Sequence, residues 1–357
     1  MQSCRRTSLW FFSLAGAVVL ALQLLAGPLM GQQIGAIRTV STGFSGPWSF
    51  GFLPSGDVLV TEKRGRLWRI DSTGARHAIG GLPEIRVIGQ GGLLDVLPAR
   101  DMARTGRIYL SYVQDSGGAQ GTTVASARLE DDRLLGLRVL YSMKTDSRGG
   151  RHFGGRLAEA QDGALYLSTG DRGEDASAQN RAVDNGTILR VDVRGAGATA
   201  ITKGHRNPQG LAFDRKGQLW AHEHGARGGD EINLIVPGKN YGWPIISYGT
   251  HYSGAKIGEG TAKAGFEQPV FYWDPSIAPS GLAIHSGHNW PDMAGRFLIG
   301  SLKFDHIAVM APGGAEQMGK IQTAETLRVR DVREGPEGGI WFLSEGNGAL
   351  YRISPPS

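Results

Sequence analysis

Six pairs of short apolar runs, each pair parted by a turn or loop, constrain this chain more than any other feature of it. They fall at 57–60 with 66–70, 107–110 with 123–127, 164–167 with 187–191, 218–221 with 231–235, 296–299 with 306–309, and 339–342 with 349–353. Branched and aromatic residues dominate them, and few windows show the period of an amphipathic helix, so the pattern is all-β. Successive pairs start 50, 57, 54, 78 and 43 residues apart. A small sheet cannot bury both its faces alone, and repeats of roughly 40–50 residues built from short strands are what β-propeller blades look like. The spacing predicts a single six-bladed propeller domain over 32–357, with one or two β-sandwiches as the alternative on pattern alone. The longest interval implies an insertion around 241–275, and such insertions tend to sit on a binding face. Glycine, 55 of 357 residues, is about twice as common as usual, as expected of punctuation between many short strands.

Residues 1–31 contain Arg5 and Arg6, no acidic residue, an apolar stretch from Leu9 to Ala26 and a small-residue exit at Gly31. That is the layout of a secretory signal peptide, predicting cleavage near Gly31 and a periplasmic or secreted product. An uncleaved N-terminal membrane anchor is the alternative, and the export route is open. Cleavage would remove Cys4, the single cysteine, leaving no disulfide, thiolate metal site or haem attachment in the mature chain. The formal charge of +5 arises from 38 basic and 33 acidic residues that are interspersed, so no nucleic-acid partner is expected.

The densest polar cluster runs from Gly204 through His205, Arg206, Asn207 and Gln209 into an apolar strand, then through His222, Glu223 and His224 to Asp230 and Glu231. A planar guanidinium beside two amides suits a flat, oxygen-rich anion, although Asn-Pro-Gln-Gly also makes a good turn. His152 lies just before another strand and could take a proton near neutral pH; Asp171 could orient it, or could belong to a plain Gly-Asp turn.

The strings GGRL at 154–157, STGD at 168–171, GHRNPQGLAF at 204–213, DEINLI at 230–235, NYGWP at 240–244 and RVRDV at 328–332 resemble those of the soluble quinoprotein glucose/sorbosone dehydrogenases. The resemblance runs in order from about Gly43 to Ile353. It implies a six-bladed propeller carrying pyrroloquinoline quinone (PQQ) and calcium, which oxidises the anomeric hydroxyl of an aldose to a lactone and passes electrons to an external acceptor. Position by position, it implies His152 as general base, Asp171 as the carboxylate polarising it, and Gln90 beside the same histidine. Arg206, Asn207 and Gln209 match cofactor contacts, with Arg206 nearest the reacting carbonyl, and Lys303, Arg328 and Arg330 match the cations that take the quinone's carboxylates. The backbone carbonyls of Gly225 and Ala226 match calcium ligands, Glu231 and Tyr241 match a second, structural calcium of some relatives, and Trp273 matches a ring that can stack on the sugar. Two rivals come from other classes. A calcium-dependent propeller lactonase or hydrolase would have no use for so many cations, and a non-catalytic binding module would have no need of an intact His152, Arg206 and Lys303 set.

Overall fold

The computed structural model describes residues 34–356, so the expected export signal at 1–31 lies outside the described residues. Six four-stranded antiparallel sheets make up the fold. Their innermost strands are Pro47–Phe52, Leu93–Pro98, Leu157–Glu159, Pro208–Phe213, Pro279–Ile284 and Val329–Glu334, one to each of blades 1–6. Each packs on the innermost strand of the next blade, and the sixth returns to the first. This is the six-bladed propeller that the spacing predicts. The ring is closed by a shared sheet: Ile37–Thr42, from the start of the chain, pairs with Ala349–Ile353 as the outer strand of blade 6.

The six apolar pairs of the sequence are the second and third strands of the blades, such as Val58–Glu62 with Arg66–Ile70 and Ile340–Ser344 with Ala349–Ile353. Blade 2 departs from expectation, because its two middle strands, Arg107–Ser116 and Ala119–Glu130, form one long ribbon. Polar residues in that ribbon interrupt the apolar pattern, so the sequence suggests a loop where pairing continues. Apolar side chains fill the spaces between blades. Leu59, Val96, Ile108 and Leu110 lie between blades 1 and 2, and Val309, Val332 and Phe342 between blades 5 and 6, all essentially without exposure. The insertion at 241–275 leaves blade 4 after Asp230–Ile235 and returns to supply its outer strand, Phe271–Trp273.

One irregularity recurs. The register slips near the start of the innermost strand in blades 1, 2, 4, 5 and 6, at Pro47/Ser49, Leu93/Val96, Pro208/Gly210, Ser280/Leu282 and Val329/Asp331. A bulge adds a residue that the ladder cannot pair and re-aims its side chain. In blades 1, 4 and 6 the extra residue is Trp48, Gln209 or Arg330, and all three line one cavity.

Candidate active site

The cavity, about 270 Å³, lies at the end of the ring where the innermost strands begin and the second strands finish. Two positions of the repeat build it. One is the start of the innermost strand or the loop before it, which supplies Trp48, Gln90, Leu94, Phe153, Asn207, Gln209, Arg328 and Arg330. The other directly follows the second strand, which supplies Lys63 from blade 1, His224 from blade 4, Leu302 from blade 5 and Glu345 from blade 6. Of the sequence candidates, Gln90, Asn207, Gln209, Arg328 and Arg330 therefore share this cavity, and His152 adjoins it through Phe153 and Gly154.

His152 is held on three sides. Its Nδ1–H donates to Asp171 Oδ1 at 2.6 Å, its backbone N–H to Gln90 Oε1 at 2.8 Å, and its φ is +51°, a left-handed conformation that a bulky side chain keeps only when its surroundings enforce it. Gly170 is part of that enforcement, because a Cβ there would lie 2.2 Å from the His152 carbonyl oxygen. Asp171 is fully buried and also accepts from Gly173 N at 2.7 Å and Trp243 Nε1 at 2.8 Å. An acceptor opposite Nδ1 assigns the proton to that nitrogen and leaves the Nε2 lone pair available as a base.

Asn207 Oδ1 accepts from Gly154 N and from Gln209 Nε2, each at 3.2 Å, which ties blade 4 to the His152 loop. Arg206 connects to the same loop from behind, since its carbonyl accepts from Asp171 N at 2.8 Å. Its guanidinium lies 5.3 Å from the Trp243 ring centroid and donates to the carbonyl oxygens of Gly225 and His224. Its Nε is buried without a partner, and an orphaned charged donor of that kind marks a place for an acceptor.

Glu345 accepts from Arg330 Nε and Nη2 at 2.9 and 2.6 Å, and its other oxygen lies 3.7 Å from Arg328 Nη2. Burial pushes its carboxyl up, but Arg330, Arg328 and Lys63 outweigh that and hold it below the usual range. His224 donates Nε2–H to the Pro279 carbonyl at 2.8 Å, and burial pulls its imidazole down to about 4, so it is neutral at pH 7. The titratable residues lining the cavity thus leave three cations against one carboxylate.

The remaining candidates lie elsewhere. Lys303 is exposed beside the cavity, its Nζ 5.0 Å from the Phe304 ring centroid, and the neighbouring Leu302 lines the wall instead. Trp273 requires a correction: it does not offer a face to a sugar. It is 6% exposed among Trp220, Ile277 and Phe297, with Nε1 donating to Gln317 at 2.9 Å. Strand alternation is the cause, because Tyr272 takes the outward position and Trp273 the inward one. Glu231 accepts from Asn233 at 3.2 Å, and burial with the nearby Glu223 pushes its carboxyl up to about 8. Tyr241 donates its hydroxyl to Leu234 O at 2.5 Å and stacks on His205. Among the described residues no group of three or more His, Cys, Asp or Glu could hold a metal, and Ala226 is buried beside Gly225.

Lys63, Trp48 and Glu345 are not singled out by sequence, and His224 only as a member of the polar cluster. The signal for Lys63, His224 and Glu345 is positional, since each is the first residue after a blade's second strand.

Six blades thus enclose a cationic cavity with a buried His–Asp pair beside it, and comparison with known proteins gives the family to which this fold belongs. The Glucose / Sorbosone dehydrogenase family profile matches residues 44–352, and the chain belongs to that family. It is 40% identical over 335 residues to aldose sugar dehydrogenase YliI of Escherichia coli, covering 87% of this chain and 90% of the relative. The crystal structure of the soluble E. coli aldose sugar dehydrogenase in its apo form superposes with a TM-score of 0.85 at 36% identity, over 90% of this chain and 99% of that one. The PQQ-bound aldose sugar dehydrogenase of Streptomyces coelicolor gives 0.74 at 27% identity, over 89% and 97%.

Proposed function

We propose that this chain is an exported, PQQ- and calcium-dependent aldose dehydrogenase that oxidises the anomeric hydroxyl to a lactone and hands the electrons to a separate acceptor. The observation that carries this reading is the His152–Asp171 pair with its free Nε2, set beside a cavity whose charge is positive. The residues suit the cofactor. A quinone bearing several carboxylates needs converging cations, and Arg328 and Arg330 line the cavity while Arg206 keeps a buried donor unspent. Calcium would be held through the carbonyl oxygens of Gly225 and Ala226, which suit a hard cation, once the Arg206 guanidinium that donates to Gly225 O turns to the ligand. When bound, the quinone supplies a hydride acceptor and the metal a Lewis acid.

The protein's own part follows from the geometry. His152 Nε2 takes the proton of the anomeric hydroxyl, and the Asp171 carboxylate, 2.6 Å from Nδ1, stabilises the imidazolium that results. Gln90 fixes the backbone of the base, and Asn207 and Gln209 fix the turn beside it. Arg206, whose Nε is buried without a partner, would stabilise negative charge developing on a reacting carbonyl placed beside it. The hydrolase reading is disfavoured by the cavity, whose titratable lining has one carboxylate, already paired with arginine.

The test is dye reduction by the purified protein with PQQ, calcium chloride and a panel of aldoses, beside His152→Ala. Turnover that needs both additions and collapses in the variant is expected. Binding of PQQ with no turnover on any sugar would sink the aldose assignment, and absence of PQQ binding would sink the reading of the cavity.

A further inference from the structure

We propose that Lys63 is a third cation of the cofactor cavity, its ammonium taking a carboxylate of the bound quinone from blade 1. The inference rests on the PQQ reading above and extends it to a residue outside the motifs that carry the family resemblance.

The backbone of Lys63 is fixed where it enters the cavity. Its N–H donates to Gly46 O at 2.9 Å, its carbonyl accepts from Leu93 N at 3.0 Å, and a Cβ at Gly92 would lie 1.9 Å from that carbonyl. The first residue of blade 1 after the second strand is therefore locked between the start of its own innermost strand and that of blade 2. From this base the side chain lines the same cavity as Arg328 and Arg330. It is half-buried, and its charge is among those holding the Glu345 carboxyl down.

The ammonium has donors to spare. It donates to Gly89 O at 3.0 Å, leaving two of three N–H groups for a ligand. Glu345 is already shared by two arginines, Arg330 at 2.6 and 2.9 Å on one oxygen and Arg328 at 3.7 Å from the other, so a single carboxylate faces three cations. Lysine binds anions as a compact, adaptable point charge, which suits a carboxylate whose orientation the paired arginines have already set.

The experiment titrates PQQ into full-length protein with calcium present and reads quenching of tryptophan fluorescence, which Trp48 in the cavity wall reports. It compares wild type, Lys63→Gln, Lys63→Arg and Arg330→Met at several salt concentrations, with a thermal melt of each. Lys63→Gln keeps a donor for Gly89 and removes the charge. The expected result is roughly tenfold or greater weakening of PQQ binding with a shallower salt dependence, an unchanged melt, and near-complete recovery in Lys63→Arg. If Lys63→Gln melts early, Lys63→Arg against wild type carries the comparison, and failure of the charge-preserving variant to bind then overturns the proposal. If Lys63→Gln binds within about twofold of wild type while Arg330→Met is weakened, Lys63 is no ligand and the cavity reading survives. If wild type does not bind PQQ, both fall together.

Discussion

Two clusters of charge adjoin on the propeller axis and are built to opposite rules. The deeper one joins Arg156 and Arg333 to Asp95 and Asp331. Arg156 Nη1 lies 3.2 Å from Asp331, and Arg333 lies 2.9 Å from Asp95 and 3.2 Å from Asp331. Ser49 and the N–H groups of Phe50 and Leu157 supply further hydrogen bonds to the two carboxylates. Two guanidiniums meet two carboxylates, nearly all of it out of water. The cavity cluster, Lys63, Arg328, Arg330 and Glu345, is unbalanced and keeps donors unspent. Burying charge costs free energy unless partners compensate it, so the buried cluster is balanced and can serve architecture, while the unbalanced one, with Arg328 exposed and Lys63 half-buried, leaves charge available to an anion. The two are mechanically joined: Arg156 donates to the carbonyls of Gln209 at 2.8 Å and Arg330 at 2.9 Å, and lies 4.1 Å from the Trp48 ring centroid. It thus seats all three bulged residues that line the cavity.

The contrast can be broken most directly at Arg156. Arg156→Met leaves two buried carboxylates to share one guanidinium, that of Arg333, and the expected cost is about 3 kcal/mol of stability, a fall in melting temperature on the order of 10 °C. Calorimetry decides it. A variant that melts with wild type yet fails to bind PQQ would mean that the deeper cluster belongs to the site. The opposite signature is expected of His152→Ala, which should reduce dye turnover about 10²–10⁴-fold and leave both the melt and PQQ affinity close to wild type. A matching loss of stability would make the His152–Asp171 pair part of the scaffold.

How much of this was legible in the sequence follows the same division. Second and third strands are continuous apolar runs, so their count and spacing gave the propeller. Innermost strands were hidden because their starts break the apolar run, with Pro208, Gln209 and Gly210 in blade 4 and Arg330, Asp331 and Arg333 in blade 6. The closing strand Ile37–Thr42 has no apolar run of its own and takes its place only by pairing with the far end of the chain. Site residues carried by family motifs, such as Gln90, Asn207 and Arg330, were named beforehand. Lys63 and Glu345 were not, because each looks like an ordinary charged residue opening a turn; aligning the six repeats on their second strands would have placed both at the His224 position. Trp273 failed for a local reason, since one step along a three-residue strand decides whether a ring faces solvent or core.

The cavity side of the comparison is sharpened by Arg330→Met. Removing a cation from an unbalanced cluster should weaken PQQ about tenfold to a hundredfold and change stability by less than about 1 kcal/mol, the usual worth of a partly exposed pair. Fluorescence titration and a melt on the same sample separate the two quantities. A large loss of stability with little loss of affinity would place Arg330 in the structural cluster after all.

The smallest effect is expected at Glu345, where stability and binding should move in opposite directions. Its carboxyl is held below the unfolded value by Arg330, Arg328 and Lys63 against the opposing effect of burial. A carboxyl lowered by folding contributes stability that is present above its unfolded pKa, about 4.3, and that is lost as pH falls through the lower folded value. Glu345→Gln should therefore cost less than about 1 kcal/mol at neutral pH and nothing below the folded pKa, so that the gap between the two acid-denaturation curves closes as pH falls. The same substitution removes the one negative charge in the cavity and frees Arg330, so PQQ should bind a few-fold more tightly. If Glu345→Gln stabilises the apo protein at pH 7, its pairs with Arg330 and Arg328 are not net stabilising, and if it weakens PQQ binding, Glu345 helps to hold the ligand.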